Sequence, residues 1–137
     1  MLVHFPLALV LTAAALLLGA RIWPRPAQAP ALATVGTWNL VLGAAGVVFA
    51  LGSGLAALLD LHLAAEARAA VGLHVKWAIG STLLVVLLAV WRGAGAKPDS
   101  RPSWLFLLLL VAACAGLVET GYRGGVNVYR YGVGVGD

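Results

Sequence analysis

The chain has 137 residues, 62% of them hydrophobic and only 10% charged, with a mean hydropathy of +0.98. That is far more apolar than the roughly 45–50% expected of a soluble domain, so composition points to an integral membrane protein. The net charge of +4 and pI of about 9.9 do not mark a nucleic-acid binder, because the nine Lys and Arg residues are scattered between apolar runs and form no stripe.

About 20 apolar residues carry an α-helix across the roughly 30 Å hydrocarbon layer. Four segments of a single domain, residues 1–137, approach or meet that length, predicting an all-α four-helix bundle in the membrane. The first span, about 3–20, opens with "VHFPLA". Proline is well tolerated in a first helical turn, so Pro6 marks a helix start that fixes the direction of His4. The span ends at "RIWPRP". A cleaved signal peptide fits poorly here, because no positive charge precedes the apolar core while Arg21 and Arg25 follow it.

The second span, about 36–59, has no charge from Trp38 to Leu59 and ends at Asp60. A polar connector with His62, Glu66 and Arg68 leads to the third span, about 71–91, which carries His74, Lys76 and Trp77 in "GLHVKWA". After the loop "RGAGAKPDSRP", the fourth span, about 103–120, holds Cys114 and meets Glu119. The lone cysteine excludes an intrachain disulfide and a CxxCH haem attachment; it reads as a small packing residue. A Gly-, Tyr- and Arg-rich tail, 121–137, adds Arg123 and Arg130.

Four antiparallel spans put the loops at 21–37 and 92–103 on one side, called B, and the N-terminus, the 60–71 connector and the tail on the other, called A. Side B has five Lys and Arg residues (Arg21, Arg25, Arg92, Lys97, Arg101) against Asp99, while side A has four against four acidic residues. The positive-inside tendency makes B cytoplasmic. Trp23, Trp38, Trp91 and Trp104 all fall at B ends, where amphipathic rings favour the headgroup layer. With side B cytoplasmic, side A and both termini are expected to face the periplasm or exterior.

All three histidines then lie on side A. Neutral imidazoles on facing helices are axial ligands for haem iron, and His4 and His74 form the best pair. His62 is a third ligand, a lid residue or a solvated side chain. Lys76, Arg123 and Arg130 are candidates to hold haem propionates, because cations near that surface pair with carboxylates. Small residues at 43–46, 51–54 and 112–116 offer either room for a porphyrin or close helix contacts. Asp60 and Glu119 close spans two and four on the same side. They would orient the imidazoles from behind, or join them in a zinc or copper site. No nucleophile with a base, P-loop or dinucleotide fingerprint is present, and "GVGVG" at 132–136 has no helix after it to cradle a phosphate.

"LVHFPLAL", the Gly54 to Asp60 spacing, a histidine opening span three and "RGGVNVYRYGVGV" together resemble the bacterial domain of unknown function 2231 family of predicted four-span membrane proteins. The resemblance covers nearly the whole chain. It places His4, Asp60 and His74 at recurring motif positions. In the tail, Asn127 stands where that family often has leucine and Val126 where an acidic residue is frequent. Similar domains occur fused to Rieske or cytochrome c modules, which implies work beside periplasmic electron carriers.

The leading expectation is therefore a b-type cytochrome-like electron-transfer protein, with haem b between His4 and His74 near the periplasmic face. A non-redox accessory or assembly subunit of a larger membrane complex is the second reading, and a His/carboxylate metal site the third.

Overall fold

The computed structural model describes residues 4–23, 27–60, 63–95 and 97–135. Four helices fill most of these: α1 (His4–Ile22), α2 (Ala29–Leu59), α3 (Ala65–Gly95) and α4 (Trp104–Tyr131). All four are long and apolar enough to cross a membrane, and no strand occurs among the described residues.

Glycines set the α1/α2 seam. A Cβ at Gly36 would come within 2.8 Å of Leu17, at Gly43 within 2.7 Å of Val10, and at Gly46 within 2.7 Å of Pro6. As the number rises along α2 it falls along α1, so the two helices are antiparallel. The proline of "VHFPLA" is thus seated on the last glycine of "GAAG", and those small residues provide helix contact, not porphyrin room.

The α3/α4 seam follows the same logic. Trp91 packs edge-on against Phe106 at 5.6 Å, Ser81 meets Gly116, and the His74 ring rests on Gly124. α2 joins α3 near side B through Arg92 and Thr37, and α1 joins α4 there through Arg21 and Trp104. The helices therefore form a ring in chain order, with α1 and α3 diagonal. Leu17, Leu40, Val85, Leu88 and Leu110, none more than 1% exposed, fill its centre.

Outside the ring, Phe5, Phe49, Leu83, Leu105 and Leu108 are 58–71% exposed. Such a girdle would be costly in water and is at home in hydrocarbon, where every helical backbone group is already bonded internally.

Three helices run well beyond the spans read from sequence. α3 covers Ala65–Gly95 where 71–91 was expected, and so takes in Glu66 and Arg68 of the polar connector. α2 begins at Ala29 instead of 36, with proline tolerated in its first turn. α4 continues through the segment read as a tail as far as Tyr131. Gly121, Gly124 and Gly125 each disfavour helix by about 1 kcal/mol, and continued packing on α3 offsets this, with Asn127 buried. The helix stops at Gly132, whose left-handed φ of 63° lets its N–H reach the Val128 carbonyl and the Val133 N–H reach that of Asn127, both at 3.0 Å. At its start, the Ser103 hydroxyl accepts from the Phe106 N–H at 3.2 Å.

Candidate functional site

On side A the polar residues gather on the α3/α4 seam. About 20 residues cover the hydrocarbon layer; measured from Trp91 and Trp104 at side B, that depth ends near residues 71 and 124. His74 and Thr120 therefore lie about one turn inside the bilayer, and Ser81 near its middle.

His74 is partly buried, with Nδ1 3.1 Å from the Thr120 carbonyl oxygen. A carbonyl only accepts, so the contact requires a proton on Nδ1, and in the neutral ring Nε2 then keeps its lone pair. Gly124 makes this placement possible, because a Cβ there would lie 3.2 Å from His74 Cε1.

Below the imidazole, Ser81 Oγ and Thr120 Oγ1 approach to 3.2 Å. Ser81 also reaches the Trp77 carbonyl and Thr120 the Gly116 carbonyl, each at 2.8 Å. Ser81 has the Ala78 carbonyl as a further acceptor at 3.3 Å. Two hydroxyl protons therefore serve four contacts, so the pair can exchange donors without moving a heavy atom.

On the same pair of helices, Arg123 forms an ion pair with Glu119, one turn earlier on α4, and its guanidinium lies 5.8 Å from the Trp77 ring centroid. Arg123 Nε and Asn127 Oδ1 are buried without a hydrogen-bond partner among the described residues. An orphan donor and an orphan acceptor one turn apart are the polar partners a buried water requires.

The remaining sequence candidates are more dispersed. His4 is the first residue of α1 and exposed; it shares side A with His74 but belongs to the diagonal helix. Lys76 and Asp60 are exposed, Asp60 capping the end of α2. Arg130 is exposed and lies 5.7 Å from the Tyr131 ring centroid. His62 falls outside the described residues. The structure thus pairs Glu119 with Arg123 and sets His74 against their neighbours Thr120 and Gly124 on α4. Arg123 and Glu119 are engaged with each other, leaving Lys76 and Arg130 as the side-A cations of the candidate set without a carboxylate contact among the described residues. No group of three His, Cys, Asp or Glu able to hold a metal ion occurs among those residues.

The most heavily bonded side chain lies elsewhere, at the B end. Arg92 is 3% exposed. Its Nε donates to Thr37 Oγ1, Nη1 to Ser100 Oγ and Nη2 to the Pro98 carbonyl, each at 3.1 Å, with a further short bond to the Ser100 carbonyl. One guanidinium therefore ties α2, α3 and the following loop together. Sequence reasoning counted Arg92 only as a loop cation. No local pattern marks it, because Thr37 lies 55 residues away.

Neither the curated proteins nor the solved structures gave a match to this chain. A family model does match, over residues 1–137, under the description "Predicted membrane protein (DUF2231)". With that match over its whole length, and with four membrane-length helices, the chain belongs to the domain of unknown function 2231 family of predicted membrane proteins.

Proposed function

We propose that the protein transfers electrons in the bacterial inner membrane, and that His74 and His4 are the residues that would hold the iron of a haem b at side A. The observation that carries this reading is the state of His74. Its Nδ1 is anchored on the Thr120 carbonyl and its Nε2 has no hydrogen-bond partner among the described residues, the arrangement by which proteins fix an imidazole for a metal. Haem iron, when bound, supplies one-electron chemistry whose potential depends on its axial ligands and surroundings. The chain's own part is to hold and orient the imidazole and to exclude bulk water from the α3/α4 seam. Lys76 and Arg130 would take the propionates, since Arg123 is committed to Glu119. His62 is a further candidate ligand. Side A as the periplasmic face would give access to a cytochrome c or Rieske-type partner.

The test is an oxidised and dithionite-reduced visible spectrum of detergent-purified, haem-supplied protein, with His74→Ala and His4→Ala alongside. Sharp reduced α and Soret bands are expected in the wild type and should be lost in both variants. A featureless wild-type spectrum from folded protein overturns the reading.

A second reading, an accessory subunit of a larger membrane complex, draws on a different observation. Gly52 and Gly54 on α2 and Gly72 and Gly80 on α3 have open space where a Cβ would stand. Further toward side B, an apolar groove of about 660 Å³ between the same helices is lined by Val41, Ala45, Phe49, Val90 and Ala94 among others. Helical glycines with no internal packing role are what a partner helix uses for close approach. On this reading, substitution of either histidine leaves assembly intact.

A further inference from the structure

At the B end of the bundle, Arg21 in the last turn of α1 lies with its guanidinium carbon 5.2 Å from the ring centroid of Trp104, which opens α4. Among the described residues no carboxylate pairs with Arg21; the ion pair found there is Arg123 with Glu119. A cation–π contact with an indole takes up none of a guanidinium's N–H donors, which stay available to an oxyanion. The wider charge pattern points the same way. Side B has five cations against one carboxylate, which accounts for the chain's whole net charge of +4, whereas side A is balanced at four against four.

The seam beneath Arg21 is apolar and open. Leu18, one turn inward on α1, is 40% exposed; Leu108 and Val111, one and two turns inward from Trp104 on α4, are 67% and 59% exposed. A cation at the headgroup level above an exposed leucine and valine surface matches an anion that carries hydrocarbon chains. We infer that the B end of the α1/α4 seam binds an anionic phospholipid. Its phosphate would be held by Arg21 on Trp104, its acyl chains would follow the seam, and Arg101, three residues ahead of Trp104, would add charge. Charge complementarity selects the occupant. A zwitterionic headgroup brings its own ammonium into a region where cations outnumber carboxylates five to one, and an anionic one does not. The inference is independent of the haem reading.

Delipidated protein in neutral detergent, titrated with dioleoyl phosphatidylglycerol or dioleoyl phosphatidylcholine and followed by native mass spectrometry, tests it. One tightly retained phosphatidylglycerol is expected. Arg21→Gln should weaken retention about fivefold, the effect of one basic residue at an anionic surface. Arg21→Lys should keep most of the preference for phosphatidylglycerol, and Arg130→Gln on side A should match the wild type. If Arg21→Gln fails to fold, Arg101→Gln on the exposed loop is read in its place, and weaker retention is expected there too. Equal retention of the two lipids overturns the inference, as does unchanged binding in the glutamine variant that folds. Displacement of the lipid by equimolar inorganic phosphate would identify a free-anion site and also overturn it.

Discussion

Arg92 and His74 occupy comparable positions near opposite ends of α3, yet the chain treats them differently. Each of the guanidinium's three nitrogens meets an oxygen from Thr37, Pro98 or Ser100, so burial costs it little hydrogen bonding. Arg92→Ala would leave the Pro98 carbonyl and two hydroxyls without that donor. At roughly 1–3 kcal/mol for a buried group left unsatisfied, a loss of about 3 kcal/mol is expected. Arg92→Lys keeps the charge but not the planar fork, and should recover only part of it. Thermal unfolding in detergent, with limited proteolysis of the 97–103 loop, reads both effects; an unchanged melting temperature in Arg92→Ala would contradict the clamp. His74, by contrast, uses one nitrogen and leaves the other without a partner among the described residues, which is why it and not Arg92 is the candidate for chemistry. The histidine was legible in the sequence because a polar residue in an apolar run stands out. The role of Arg92 was not, because its partners come from another helix and a loop. The Glu119–Arg123 pair was readable in principle from its four-residue spacing but is overshadowed by the apolar context.

The helices themselves were largely legible, since a membrane span needs little beyond length and apolarity. Their ends were less so. The sequence places Gly121, Gly124 and Gly125 in a tail, and intrinsic propensity favours that reading; the contact of His74 with Gly124 overrides it, and tertiary contact is invisible in a local window. Sequence also leaves open whether small residues pack or make room, and the glycines divide on this point. Gly43 and Gly46 touch α1, whereas a Cβ at Gly52 or Gly54, farther along the same helix, would meet nothing among the described residues. Gly46→Ala would force Pro6 to shift and should cost about 1–3 kcal/mol as overpacking. Gly52→Ala and Gly54→Ala fill open space and should each stabilise the isolated protein by up to about 1 kcal/mol through helix propensity. Denaturation of the three variants side by side checks the opposite signs. Under the accessory-subunit reading, the same two stabilising substitutions should weaken capture of the native complex, so a gain in both stability and assembly would count against that reading.

At the scale of the whole molecule, the bundle is a ring of four helices whose two ends differ in chemistry. Side B has four tryptophans, the uncompensated cations and the Arg92 clamp; side A has His4, His74 and a balanced set of charges. That asymmetry is what makes orientation matter to function. If the positive end is cytoplasmic, as basic residues flanking spans generally are, His74 lies within reach of extracytoplasmic electron carriers. If it is not, the proposed exchange with a periplasmic partner has no route. Lys97→Cys on the exposed B loop and Tyr129→Cys, 92% exposed near the end of α4, place one label at each end. The native Cys114 is half-buried about ten residues into α4, near mid-bilayer, where a charged maleimide does not reach it. In intact spheroplasts, an impermeant maleimide should modify Tyr129→Cys and leave Lys97→Cys unmodified until the membrane is permeabilised. The reverse pattern would turn the bundle over. It would leave the four-helix fold and the Arg92 clamp untouched, and it would place the histidine end in the cytoplasm, where a cytosolic donor would have to replace the periplasmic one.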